Sequence, residues 1–288
     1  MQPIKPFTLD KKLSCKSCGT ILSGKYCSKC GEKVFTNQDK SVIHLVEEAF
    51  HFITHFEGTF FTTLKTLATA PGKVSLDYCN GIRKKYFKPL SLFLLLVIVY
   101  LLFPIFEGLS MQLKFHMESA YYGGYANRQV QNLLQNGMEM EEINKAFKAK
   151  SATMSKFLLI LIIPLLALVL WPITYKKRKY FYDQMVFSAE INCVYLLWGF
   201  LVLPLLLIFA LKIATFFTNQ PIRITDNISG LLVMIPVCFY VGFASGRFYG
   251  LKVLQSIVLT ILFFIAHNLI VHFVYKFILF NVVIKSIG

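Results

Sequence analysis

Charge is scarce in this 288-residue chain: Asp, Glu, Lys and Arg make up 16% of it, against 56% hydrophobic residues. A soluble protein of this size carries about 25% charged and about 45–50% apolar residues. The balance is that of an integral membrane protein with a modest soluble part. Acids are the scarcer sign, 15 against 30 Lys and Arg, for a net charge of +15. In a membrane protein such an excess collects in cytoplasmic segments, and this reading takes precedence over nucleic-acid binding. Residues 1–88 contain no apolar core behind a basic stretch, so no signal peptide is expected. There is no phosphate-binding glycine loop, no nucleophile elbow and no HExxH motif, which leaves no reaction type to argue from. The seven cysteines do not form a disulfide scaffold. Cys79, Cys193 and Cys238 are scattered in or near apolar segments, where single cysteines act as small hydrophobes.

The other four cysteines are clustered. Cys15-x2-Cys18-Gly19 is followed, eight residues later, by Cys27-x2-Cys30-Gly31. Two intervening residues let both sulfurs of a pair reach one ion, and each glycine permits the tight turn beneath them. Four thiolates close a tetrahedral site with no open position, as in structural zinc. One structural Zn ion is therefore expected, and thiolate ligands fit a reducing compartment. Spacing alone leaves iron in a rubredoxin-like site and a metal-free redox cluster as alternatives. The segment is too small to bury a core, so the metal must supply folding free energy. Lys11, Lys12, Lys16, Lys25, Lys29 and Lys33 give the ribbon a basic surface suited to phosphates or to anionic lipid headgroups.

From residue 39 a helical pattern begins, capped by Asp39 or Ser41. Leu45, Ala49, Phe52, Ile53 and Phe56 share an apolar face, while His44, Glu48, His51 and His55 line the opposite one. Histidines four apart on a helix can share a metal. The competing readings are a solvated polar face on a helix lying in the headgroup region and a pH-sensing patch.

Thr69-Ala70-Pro71-Gly72 breaks this helix. A short helix over 74–80 should follow, ended by Gly81 at the C-prime position. Arg83, Lys84, Lys85 and Lys88 then form a basic collar before an apolar run. The pattern Pro71-Gly72-x5-Tyr78-x2-Gly81-x-Arg83-x2-Tyr86-x2-Pro89, preceded by the cysteine ribbon, resembles the bacterial membrane proteins grouped as domain-of-unknown-function family 3667. The stretches Tyr180 to Phe187 and Gly246-Arg247-Phe248-Tyr249-Gly250 resemble that family too. Members carry histidines in the region matching Tyr182 to Asn192. Gln184 and Glu190 stand there in this chain, so no metal role carries over. The resemblance implies a membrane architecture and nothing more specific; the location expected for the chain is a bacterial inner membrane.

About 20 residues of helix cross a bilayer. Five spans are expected, over about 89–106, 156–175, 189–212, 228–245 and 252–279. The basic clusters Arg83-Lys84-Lys85 and Lys176-Lys177-Arg178-Lys179, with Arg247 and Lys252, then fall on one side. This puts the N-terminus in the cytoplasm and the C-terminus outside. The external loop 107–155 reads as a helical hairpin resting on the bilayer. Polar groups inside spans cost free energy, so Glu190 and Asn192, near the start of the third span, and His267, Asn268 and His272 in the fifth stand out. Glu190 is too far along the bundle from His267 to pair with it, whereas Asn268 and His272 are one turn apart and can meet.

The expected architecture is an all-α integral membrane protein with a zinc ribbon (1–36), amphipathic interfacial helices and junction (37–88) and a helical membrane domain (89–288). The function expected is that of a non-enzymatic, membrane-anchored ribbon acting as a scaffold through a cytoplasmic protein partner and the lipid bilayer. The alternatives are a small transporter or channel using His267, Asn268 and His272, and an interfacial metal-dependent enzyme using the histidine face. The sequence leaves the oligomeric state open.

Overall fold

The computed structural model of the chain describes residues 14–34, 41–43, 58–103, 111–218 and 226–287. The ribbon comes first and has no regular strand among its described residues. Two isolated antiparallel bridges, Ser14 with Ile21 and Tyr26 with Lys33, hold its two knuckles. Helix α1 (Thr59–Thr69) follows, then α2 (Lys73–Cys79) and the apolar α3 (Pro89–Leu102). Pro89 is at the first position of α3, where its missing N–H costs no hydrogen bond.

Next come the short α4 (Leu113–Met117), α5 (Gly123–Gln135) and α6 (Met140–Leu158). A single 3-10 turn, Leu159–Leu161, joins α6 to α7 (Ile162–Thr174). Pro164 removes the amide that the carbonyl of residue 160 would accept, and the helix tightens there instead of breaking. Helix α8 (Phe181–Leu196) runs through a π segment, Leu197–Val202, into α9 (Leu203–Thr218). Here Pro204 removes the amide opposite the carbonyl of Phe200, and the helix widens. The chain ends with α10 (Asp226–Tyr249), α11 (Val253–Leu269), the π segment Ile270–Tyr275 and α12 (Lys276–Lys285).

Four of these continuous helices are long and apolar enough to cross a membrane: Met140–Thr174, Phe181–Phe217, Ile228–Tyr249 and Val253–Lys285. The protein is an all-α, multi-pass membrane protein. The four correspond to the second through fifth expected spans. The first expected span is the 14-residue α3, shorter than the roughly 20 residues of a full crossing.

Several boundaries move, and the third and fifth spans also end later, at Phe217 and Lys285. The third span starts at Phe181 rather than 189, because Tyr182, Asp183, Gln184 and Ser188 are buried against protein rather than lying at an interface. The second helix of the expected hairpin does not rest on the bilayer as a separate piece. It is continuous with the second span, and Ile143 and Phe147 bury inward with Ala126, Val130 and Leu133 of α5.

Helix α8 is the hub. Helices α2, α3, α7 and α10 all pack along it. At one end the 176–180 turn, the α2–α3 connection and the α10–α11 turn come together: Arg178 donates to the Phe248 carbonyl and to Asn80 Oδ1, and Arg247 donates to the Pro71 carbonyl. At the other end α5, α6 and α12 meet, with Tyr125 donating to Asn281 Oδ1 at 2.8 Å.

Candidate functional site at the junction and the cysteine cluster

The four sulfurs of Cys15, Cys18, Cys27 and Cys30 all lie within 4.8 Å of one another. Cys15–Cys30 and Cys18–Cys27 are each 3.5 Å apart. A tetrahedral ion with bonds of about 2.3 Å to sulfur separates its ligands by about 3.8 Å, so the cluster fits one thiophilic ion. The knuckles repeat each other atom for atom. Gly19 N–H donates to the Cys15 carbonyl at 2.8 Å and Gly31 N–H to the Cys27 carbonyl at 2.7 Å. Both glycines sit at positive φ, +75° and +66°, as the spacing anticipated.

The thiols are electrostatically mismatched with one another. Bonds from the Thr20 hydroxyl and backbone lower Cys18 to about 6. At Cys30 the Glu32 backbone works the same way, but burial and the neighbouring sulfurs of Cys18, Cys15 and Cys27 outweigh it and push the thiol up to about 12. A bound cation resolves that conflict by holding all four as thiolates.

The ribbon does not stand off from the membrane half. Glu32, buried, accepts from the Lys84 N–H at 3.0 Å, and the Lys84 ammonium donates to the Cys30 carbonyl at 2.6 Å. Lys84 Nζ fills the space where a Gly31 side chain would be, 2.6 Å from its Cβ position. The basic collar is thus the seat of the second knuckle.

The junction that carries the collar is locked in turn. Helix α2 has no side-chain cap of its own; its N-cap is Gly72, at φ +77°. Glu190, ten residues into α8 and buried, supplies the missing acceptor. Its carboxylate receives the Gly72 N–H at 2.8 Å, the Ser75 N–H at 2.6 Å and the Tyr240 hydroxyl at 2.6 Å. A carboxylate at a helix N-terminus meets both the free amides and the positive end of the dipole. Only glycine fits at 72, because a Cβ there would lie 2.4 Å from the Ala244 carbonyl oxygen of α10.

The rest of the junction follows. Gly81, at φ +97°, sits just past the Asn80 C-cap. Its N–H donates to Tyr78 O, and Ile82 N–H donates to Asp77 O, the paired bonds of a Schellman stop. Arg83 donates to the Tyr182 hydroxyl at 2.5 Å, with its guanidinium 4.8 Å from the Tyr78 ring centre. The Tyr86 hydroxyl donates to Asp77 Oδ2 at 2.7 Å, which Lys73 also meets at 3.0 Å. Burial first, then the Asp77 carboxylate, raises the Tyr86 phenol and keeps it protonated. Phe87 N–H donates to Thr63 Oγ1, tying in α1. Tyr249 donates to Gln184, and Phe187 stacks on Phe248 with centroids 4.7 Å apart.

The three stretches on which the resemblance rests, 71–89, 180–187 and 246–250, therefore assemble into one place, with Glu190 one turn beyond the second. Pro71, Gly72, Tyr78, Gly81, Arg83, Tyr86 and Pro89 are structural members of that assembly. Glu190, Gln184, Tyr182 and Tyr240 are the residues that reasoning from the sequence did not connect to it. The available signal was a pair of unmet needs, a helix starting after Pro-Gly without a cap and a glutamate inside an apolar run.

The polar residues of the last span are not brought to one point. His267 is buried against the rings of Tyr195 and Phe263. Asn268 bonds the Phe264 carbonyl and His272 is exposed, its Nδ1 3.2 Å from the Asn268 main-chain oxygen, not the side chain. His44, Glu48, His51 and His55 lie outside the described residues. Cys79 and Cys193 are buried and Cys238 is partly so; none of the three forms a disulfide among the described residues.

A family model described as a protein of unknown function (DUF3667) matches residues 57–101. That segment runs from the start of α1 through the junction and collar to the end of α3, the part of the chain that Glu190 and Lys84 connect to everything else. No curated protein and no solved structure matches.

Proposed function

We propose that this is a non-enzymatic scaffold of a bacterial inner membrane, in which a structural zinc ribbon is mounted rigidly on the cytoplasmic end of a helical bundle and presents a surface to a protein partner. The observation that carries the reading is the grip of Glu32 and the Cys30 carbonyl on Lys84. A ribbon that only sealed a terminus would need no such seat. The closed set of four thiolates supports a structural ion, and zinc is the commonest occupant of such a site.

The cytoplasmic assignment is supported by charge. Arg83, Lys84, Lys85, Lys88, Lys176, Lys177, Arg178, Lys179, Arg247 and Lys252 belong to the connections that gather at the junction end, as the positive-inside rule requires of the cytoplasmic face. The ribbon exposes Ile21 and Tyr26, 62% and 61% accessible, and also Lys16, Lys25, Lys29 and Lys33. Exposed large apolar side chains and cations on one small unit suit an acidic protein surface with an apolar centre.

The test is a photo-reactive amino acid at Tyr26 in full-length protein in cells. A discrete protein adduct is expected, lost when Cys27→Ser removes a metal ligand. Adducts unchanged by Cys27→Ser, or lipid adducts alone, would contradict the reading.

A further inference from the structure

Helices α10 and α11 form an antiparallel pair closed by the turn at Gly250. Where they touch, both are made of small residues. A side chain at Gly242 would lie 3.4 Å from Thr260 Oγ1, and one at Gly246 would lie 3.0 Å from Ser256 Oγ. This Gly-x3-Gly spacing is thus used inside the chain, against Ser256 and Thr260, rather than being left for a second molecule.

Beside that seam runs a groove of about 790 Å³. Leu231, Ile235, Phe239 and Phe243 form one wall, and Val253, Ile257 and Ile261 the other. All are exposed. From 231 to 243 the groove is about 18 Å long at 1.5 Å per residue. One leaflet of hydrocarbon is about 15 Å deep, half of a core of about 30 Å.

The groove is not apolar to both ends. Arg247 lines its junction end, and Lys252 is exposed on the turn beside it. Arg247 gives one donor to the Pro71 carbonyl and keeps others of its five for a ligand. Ser256, also in the lining, is 7% exposed, and its hydroxyl oxygen makes no hydrogen bond among the described residues. A buried hydroxyl in this position needs a partner.

From this arrangement we infer that the α10–α11 groove is a binding site for one anionic phospholipid, with an acyl chain between the two walls, the phosphate at Arg247 and Lys252, and the ester region at Ser256. The charge at one end and the length of the apolar part select this occupant over a neutral lipid or a helix of another chain. Arg247 also touches Pro71, so a bound phosphate would sit next to the junction that seats the ribbon.

Cys238 lies in the groove lining and is partly accessible, whereas Cys79 and Cys193 are buried. Its reaction with N-ethylmaleimide therefore reports occupancy in the intact, delipidated protein in detergent. Dioleoyl phosphatidylglycerol is expected to slow labelling of Cys238 about tenfold more than dioleoyl phosphatidylcholine at equal concentration, equivalent to about 1.4 kcal/mol. Arg247→Gln should abolish that preference. Lys252→Gln, at an exposed position with no side-chain ion pair among the described residues, should weaken it and guards against a folding defect in the first variant. Equal protection by both lipids in the wild type would overturn the inference. So would protection that rises with protein concentration and ignores lipid, which would indicate a second copy in the groove.

Discussion

His116 shows how a single side chain far from the junction sets a pH dependence. Its ring has no exposed surface, with Nδ1 2.7 Å from the Tyr122 hydroxyl and the rings of Phe147 and Phe280 packed around it. Burial, then the nearby Lys276 charge, lowers the imidazole from its ordinary 6.5 to about 4. Below pH 6.5 the unfolded chain takes up a proton that the folded chain refuses until about pH 4. The folded state is therefore fully favoured above 6.5 and loses that advantage as pH falls through this window, by about 3 kcal/mol in all. Thermal unfolding in detergent should show a steeper fall in stability between pH 7 and pH 4.5 for the wild type than for His116→Gln. Parallel curves would show that the ring is not the titrating group. Nothing in the sequence marks this histidine. It sits in a five-residue helix, α4, and its burial comes from α6 and α12, whose phenylalanines are 31 and 164 positions away.

Elements were legible where one residue type has a local task. The paired knuckles, the Schellman stop at Gly81 and the Pro89 start of α3 are each dictated by neighbours in sequence, and the structure has them where the pattern puts them. The start of α8 was not legible. Asp183, Gln184 and Ser188 look like the edge of a membrane, yet Gln184 is held by Tyr249 and the Arg178 carbonyl and Ser188 by the Ile163 carbonyl. Partners that distant leave no periodic trace. The same holds for the N-terminus of α2, whose cap comes from 118 positions away. Gly72→Ala forces a side chain to φ +77° and against the Ala244 backbone, whereas Gly250→Ala meets only the φ cost at +64° with nothing within 4 Å. The left-handed conformation alone costs about 1–2 kcal/mol, and overpacking adds about 1–3 kcal/mol. Followed by a thiol-reactive dye that reports exposure of Cys79 and Cys193, Gly72→Ala should unfold at a clearly lower temperature than Gly250→Ala. Equal losses would mean that α10 gives way at Ala244 and that the junction is not tightly wedged.

The molecule as a whole is a chain of attachments: knuckle to collar, collar to junction, junction to α8, with the four sulfurs at its outer end placed to hold an ion. The membrane-spanning content was readable from composition and long apolar runs, because lipid demands both. The way the parts hold one another was not, because the links from ribbon to collar and from junction to α8 join residues more than fifty positions apart. The outer link has its own test. Purified protein should carry one zinc per chain, and a strong chelator should release Lys84 from the Cys30 carbonyl. Tryptic cleavage after Lys84 should then rise about tenfold, equivalent to roughly 1.4 kcal/mol of lost docking, while cleavage in the 176–179 turn stays the same. Cleavage after Lys84 that does not respond to chelation would separate the metal from the docking.

Glu190 is the inner link, and it bears most directly on whether junction and bundle form one rigid support. Glu190→Gln keeps the size of the side chain but replaces one of its two acceptor oxygens with an amide donor, leaving one of the Gly72, Ser75 and Tyr240 donors facing another donor. Hydrogen exchange of the peptide covering 71–80, measured in detergent for both proteins, reads that link at its own backbone. Slow exchange of the Gly72 and Ser75 amides is expected in the wild type and markedly faster exchange in Glu190→Gln, with α7 and α12 unchanged. Exchange at 71–80 that is the same in both proteins would show that Glu190 does not hold the junction to the bundle.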